Sequence, residues 1–431
     1  MDASHTYIEY RDVHVWITIG DALKNEVEPS VLWNRRSYIV VIATLAIALA
    51  ASGAPSPTYV DFQNIWGLSS LALTLAYSAY AGGVIVALLT TGGISDRIGR
   101  APVIIASLIT LAASMLIFVL ASNLAFLILA RFVQGIGTGV LTGAASAALT
   151  ETHPSGDKKA AAAANSMTTS LSIALGAIFS GVIVDIGWGI RTPYIILLIL
   201  TLVVTALVSL FSPGYKVKLE KGSGVFKIQH LSVPNRIKKK FIIASLCVTA
   251  SWGVGGLYLA LGGILTGSLL NLHGHLVIGL VILAVQGIGS ITQFIWRKIN
   301  YKVSLFKTIT TAVSLLAFGV ASTAVGILRV LPFIAVFGAI VSGIGFGLSF
   351  MVGTQIVSKA APKSVAGEVL AAYFVIAYIA ISIPAIGVSF MIMTVGEVLA
   401  FIIFAIAILF LCTLILIIVS IDKESYCDLD I

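Results

Sequence analysis

A chain of 431 residues that is 58% hydrophobic and 10% charged does not read as a water-soluble globular protein, where about 45–50% apolar and about 25% charged residues are usual. Its apolar runs repeat at the length of about 20 residues that a helix needs to cross about 30 Å of hydrocarbon. The segments of alternating polarity expected of a β-barrel are missing, and the formal charge of +8 is distributed in a way that argues against nucleic-acid binding.

In chain order, the first element is a polar N-terminal tail, 1–36. It is acidic at the start (MDASHTYIEYRD) and has no basic stretch leading into an apolar core, so no cleaved signal peptide is expected. Six spans follow at 37–57, 68–91, 102–121, 123–149, 160–185 and 191–211, forming an N-terminal six-helix bundle, 37–211. A basic linker with Gly and Pro, 212–240, separates them from six more spans at 241–269, 276–296, 304–327, 330–357, 364–393 and 397–421. The second bundle is thus 241–421, with a short tail at 422–431. The predicted fold class is an all-α integral membrane protein of twelve helices in two pseudo-symmetric bundles. Cys247 and Cys412 sit in apolar runs and Cys427 in the tail, which gives neither a disulfide framework nor a metal site.

The basic residues orient this map. Of 26 Lys and Arg, all but Arg131, Arg191 and Arg329 fall on the side that holds both termini and the linker. Basic residues near span ends favour the cytoplasm, so both termini are expected there. The linker is then first a topology signal, with contact to anionic lipid as an addition.

The halves carry a weak internal repeat. QGIGTG at 134–139 and SGIGFG at 342–347 share one register, which also carries Pro154 onto Pro362 and the loop at 92–103 onto 300–311. Repeats of this kind mark secondary transporters, with binding sites near the midplane between halves.

The stretch GGISDRIGR, between the second and third spans, concentrates charge and glycine in a chain poor in charge. Gly92, Asp96, Arg97, Gly99 and Arg100 form a pattern that resembles the signature loop of the major facilitator superfamily, with Ala101 where a further basic residue is usual. Arg131, Gln134, Gly135 and Gly137 are similar to the fourth-helix motif of proton-coupled members. The resemblance covers about 37–421 and implies the superfamily fold, alternating access, and a loop that helps hold the cytoplasmic side closed. A departure is the fifth span, where Gly176-Ala177 and Ser180-Gly181 stand near the G-P-x-x-G-G of many drug–proton exchangers without its proline; Pro384 lies at the equivalent offset in the eleventh span.

Arg131 is the lone Lys or Arg in the interior of a span, away from the span ends. Burying it costs at least about 2.5–3.5 kcal/mol, so it faces a wet cavity or a partner. The resemblance implies coupling or substrate contact; the alternative is a structural arginine held by carbonyls or Gln134. Gly135, Gly139 and Gly143 share a helix face and read as packing positions. No carboxylate maps to midplane: Asp61, Asp185 and Glu397 fall near outer ends and Glu368 near an inner one. Asp61 is a proton-acceptor candidate or a plain loop acid, and His273 and His275 form an outer turn or a pH-sensing pair.

Candidate cavity residues are Tyr77, Tyr80, Asn165, Thr169, Trp252, Tyr258, Gln286, Gln293, Gln355, Tyr373 and Tyr378. Their aromatic and amide character suits neutral amphipathic or weakly anionic solutes. No phosphate-binding loop, metal cluster or nucleophile constellation is present. The reading is therefore a secondary active transporter of a small solute in the plasma membrane, proton-coupled, monomeric, without cofactor and not an enzyme. Efflux of an amphipathic compound and uptake of a small organic anion stay open, with a non-transporting sensor as the rival class.

Overall fold

The computed structural model describes residues 5–6, 17–18, 29–211, 231–299, 303–362 and 365–423. Most of the N-terminal tail, the linker as far as residue 230, and the tail from 424 with Cys427 lie outside them. Among the described residues, twelve helices are long and apolar enough to cross a membrane. They run Arg36–Trp66, Ser70–Thr90, Arg100–Leu120, Leu124–Thr152, Ala160–Asp185 and Thr192–Phe211. The second six are Asn235–Leu269, His275–Lys298, Leu305–Leu328, Pro332–Ala360, Ala366–Val395 and Glu397–Ile421. Below, the end marked by Phe211 and Asn235 is the linker end, and the opposite one is the far end.

Local chemistry sets the helix limits. Ser69, Asn123 and Ser304 each accept a first-turn backbone N–H, from Ala72, Phe126 and Lys307, and so satisfy donors that the helix itself cannot. The first span departs from expectation. It is two helices, Pro29–Gly53 and Pro55–Trp66, because Pro55 and Pro57 start a new helix rather than ending the old one. Left-handed Gly67 terminates it. Asp61 is therefore a helix residue and not a loop acid.

The internal repeat is physical. The fourth span begins at Leu124 and the tenth at Pro332, and they end at Thr152 and Ala360, in the same register as the glycine motifs. A Cβ on Gly135 would lie 2.0 Å from the Tyr80 carbonyl oxygen of the second span, and one on Gly343 would lie 2.1 Å from that of Ala284 in the eighth. Gly137 and Gly345 abut the third and ninth spans at Leu111 and Leu316; Gly139 and Gly347 return to the second and eighth at Ala87 and Gly289. Three glycines thus meet equivalent partners in each half. Without a hydrophobic drive between helices in lipid, such backbone approach supplies the packing attraction. Gly143 corrects the reading of the stripe: nothing lies within 4 Å of its added Cβ, because it faces open space between the halves.

Across the halves, the fifth span packs on the eighth and the second on the eleventh. Gly181 lets the fifth span approach the His275 carbonyl oxygen, where a Cβ would stand 2.5 Å away. Ser166 donates to Gln293 Oε1 at 2.6 Å, Ser290 to the Met167 carbonyl at 2.9 Å, and Thr74 pairs with Ser389 at 2.5 Å. The third, sixth, ninth and twelfth spans turn large apolar side chains outward, such as Ile109, Leu210, Phe318 and Phe410.

Candidate functional site

Between the halves lies a cavity of about 670 Å³. Its walls come from the first, second, fourth, fifth, seventh, eighth, tenth and eleventh spans, and none from the other four. Ser146, Arg297, Ser358 and Lys359 line it toward the linker end.

Of the predicted cavity residues, Tyr77, Tyr80, Asn165, Thr169, Trp252, Gln293, Gln355 and Tyr378 line it. Three do not. Tyr258 reaches toward Thr323 at 3.4 Å in a separate crevice, Gln286 is buried in a π-helical turn of the eighth span, and Tyr373 is buried with its hydroxyl at 3.4 Å from Thr354. Phe350, Phe374, Arg297 and Lys359 line the wall and were missed as cavity residues. For the two cations the signal was i, i+4 spacing on one helix face: Gln293 with Arg297, and Gln355 with Lys359.

The wall is mostly apolar and aromatic. Trp252 meets Phe346 and Phe350 edge to face, with centroids at 5.6 and 5.4 Å, and Tyr80 faces Tyr378 across the halves at 6.4 Å. Several buried polar atoms of the wall have no hydrogen-bond partner within the protein: Tyr77 Oη, Asn165 Oδ1, Trp252 Nε1, Gln293 Nε2 and Gln355 Oε1. Buried groups of this kind are costly to leave unpaired, and they are polar groups that the wall offers to a solute. Arg131, Arg297 and Lys359 are the charged residues of the lining, and no carboxylate joins them among the described residues.

Arg131 is 1% exposed. Its Nη1 donates to the Ser52 carbonyl at 3.0 Å and to Gln134 Oε1 at 2.7 Å, while Gln134 Nε2 donates to the Ala51 carbonyl at 2.8 Å. The guanidinium lies 5.6, 5.4 and 5.2 Å from the ring centres of Tyr59, Tyr77 and Tyr80, within reach of cation–π attraction. Both readings of this residue therefore meet in one place: it ties the first span to the fourth, and it edges the cavity with Nε unpartnered.

At the linker end, Gly93 and Gly99 take positive φ, +74° and +95°, to turn the 92–100 loop. Asp96 pairs with Arg100 at 2.5 Å, and Arg100 also bonds Glu151 at 2.7 Å and Ser95 Oγ at 2.6 Å. These partners all belong to the first half.

At the far end, His275 of the second half bonds Asp61 and Asp185 of the first. The plain outer turn expected there is in fact a bridge.

A sequence model of the Major Facilitator Superfamily matches residues 40–385. The chain belongs to the major facilitator superfamily. As a member it is a multi-pass membrane transporter and not an enzyme. It is 32% identical over 79 residues to a multidrug resistance protein MdtL of Shewanella sp. (strain ANA-3), covering 18% of the chain and 20% of that protein. It is 37% identical over 73 residues to the MdtL of Klebsiella pneumoniae (strain 342), covering 17% and 19%. An uncharacterized transporter of Rickettsia bellii (strain RML369-C) is 33% identical over 102 residues, 24% of each chain. The chain thus spans a quarter or less of these curated relatives. In fold, this superfamily member resembles a bacterial homolog of the human lysosomal transporter Spinster, solved inward-facing and unoccupied. That likeness has a TM-score of 0.70 at 12% identity and covers 93% of this chain and 99% of the other. The nucleoside transporter NupG gives 0.68 at 11% identity, covering 90% and 99%.

Proposed function

We propose that the chain is a secondary active transporter that moves neutral or anionic amphipathic solutes across the plasma membrane by alternating access, driven by a proton gradient. The carrying observation is the cavity itself. It has a long apolar and aromatic wall, unpartnered amide and indole groups, three cationic side chains and, among the described residues, no carboxylate. An apolar body gains about 25 cal/mol per Å² of surface withdrawn from water, while a cationic head would meet Arg131, Arg297 and Lys359.

The Lys and Arg distribution supports a cytoplasmic linker end; on that reading the cavity opens inward and the far end is shut. In this state Asp96 and Arg100 keep their ion pairs, with each other and with Glu151, within the first half. In the outward-open state Asp96 and Arg100 help close the cytoplasmic side, which gives the loop the state-dependent contacts that alternating access needs. The multidrug names of the partial relatives favour efflux. The cationic lining keeps uptake of a small organic anion as the second reading.

A matched series tests substrate class: 4-phenylbutyl compounds with a sulfonate, an amide or a trimethylammonium head, added to purified protein in a thermal-shift assay. A ligand that binds the folded state raises apparent stability by about 2.7 kcal/mol at 100 times its dissociation constant. The sulfonate and the amide are expected to raise the melting temperature and the ammonium to leave it unchanged. A shift with the ammonium alone contradicts the proposal.

A further inference from the structure

Three residues distant in sequence meet at the far end. His275 Nε2 lies 2.9 Å from Asp61 Oδ2, and Nδ1 lies 2.7 Å from Asp185 Oδ1. An ionised carboxylate only accepts hydrogen bonds, so filling both contacts at once requires a proton on each ring nitrogen, which is the imidazolium. Asp185 is further fixed by the backbone N–H groups of His275 and Leu276, at 3.0 and 2.8 Å, at the start of the eighth span. Asp61 and Asp185 belong to the first half and His275 to the second, so the cation spans the boundary that must part when the far end opens.

We infer that His275, clamped between Asp61 and Asp185, is a proton-binding site that latches the far end shut and is released when the ring loses its proton. The inference rests on the two-state reading proposed above and adds to it the group through which protons act. The neutral ring keeps one N–H and satisfies one carboxylate, leaving the other facing an acceptor. The latched state thus holds one more proton than the released state, and raising the pH through the ring's titration favours release by up to tenfold per unit.

The surroundings leave the triad dominant. From the second helix of the first span, Asp61 faces the ring, while Tyr59 turns to Arg131. The fifth span contributes Asp185. The seventh span packs alongside, with no Asp, Glu, Lys, Arg or His between 241 and 269 and with Tyr258 turned to Thr323. In the preceding loop stands His273; Glu397 faces Ser268, and Arg191 donates to the Ala121 carbonyl. The ring and Asp61 are 23% and 22% exposed, so protons can reach the site from the far side.

The test is a spin-label distance across the far end in nanodiscs, with L120C and F333C on exposed positions of opposite halves and Cys427→Ser in the background. Cys247 and Cys412 are buried. From pH 6 to pH 10 the wild-type background is expected to shift from a short to a long distance. In H275Q the distribution should not depend on pH in this range. In D61N, which keeps an acceptor without the charge, the transition should fall lower by about one pH unit, as expected from losing one close opposite charge. No shift in the wild type overturns the latch. So does a shift that H275Q retains, or, if H275Q does not fold, a D61N transition at the wild-type pH. Because the readout is a distance, failure to transport the phenylbutyl compounds would refute the proposed substrate and leave the latch standing.

Discussion

Arg131→Ala is expected to lower transport by at least about a hundredfold while leaving most of the protein folded. The two effects separate by magnitude. Interhelical hydrogen bonds in membranes average about 0.6 kcal/mol and reach about 1.7, so losing the contacts to Ser52 and Gln134 costs about 1–3 kcal/mol of stability. A hundredfold loss of rate is about 2.7 kcal/mol on the barrier and appears after normalising to folded protein. The substitution removes the planar donor that joins the first and fourth spans beside Tyr80, the ring that meets Tyr378 of the other half. Arg131→Lys keeps the charge without the fork of donors; it should retain folding and recover less than a tenth of transport. Flux that falls only in proportion to folded protein would make Arg131 purely structural. The comparison is made by initial uptake rate in proteoliposomes, normalised to monodisperse protein.

The second large effect concerns packing. Gly135→Val and Gly343→Val are each expected to destabilise by about 3 kcal/mol or more, at the upper range for overpacked sites. The neighbour in each case is a backbone carbonyl, of Tyr80 and of Ala284, which cannot turn aside as a side chain does. Gly143→Val should leave the melting temperature within about 1 kcal/mol of wild type, since its Cβ enters open space. There it narrows the cavity that Gly143 lines and weakens binding of the sulfonate probe. Equal melting temperatures for all three variants would mean that the paired glycines do not hold the helices of each half together.

These glycines show what sequence conveys here. The G-I-G-x-G repeat was visible because close backbone approach leaves no alternative to glycine at Gly135, Gly137 and Gly139 and their counterparts. Gly143 continued the same spacing although no helix lies against it, since spacing reports a face and not what covers it. Span positions were legible from hydropathy, because each helix must match the hydrocarbon thickness. The first span ran on to Trp66 because a proline is as good at starting a helix as at stopping one. The cavity was half legible: Tyr77, Tyr80 and Trp252 line it, whereas Tyr258 and Tyr373 face other helices. Helices that are apolar all round give no polar stripe to show which face is inside. Asp61, Asp185 and His275 were each visible, but their meeting depends on three chain segments converging in space.

The most direct test of the account is counterflow. Proteoliposomes loaded with unlabelled 4-phenylbutyl sulfonate are diluted, without ATP, into a trace of the radiolabelled compound. Alternating access predicts transient accumulation of label above its external concentration, absent from empty liposomes. It also predicts about tenfold slower accumulation with Asp96→Ala, equivalent to about 1.4 kcal/mol on the conformational step. Label that enters no faster than in empty liposomes, while the sulfonate still raises the protein's melting temperature, would mean binding without translocation and would contradict the account.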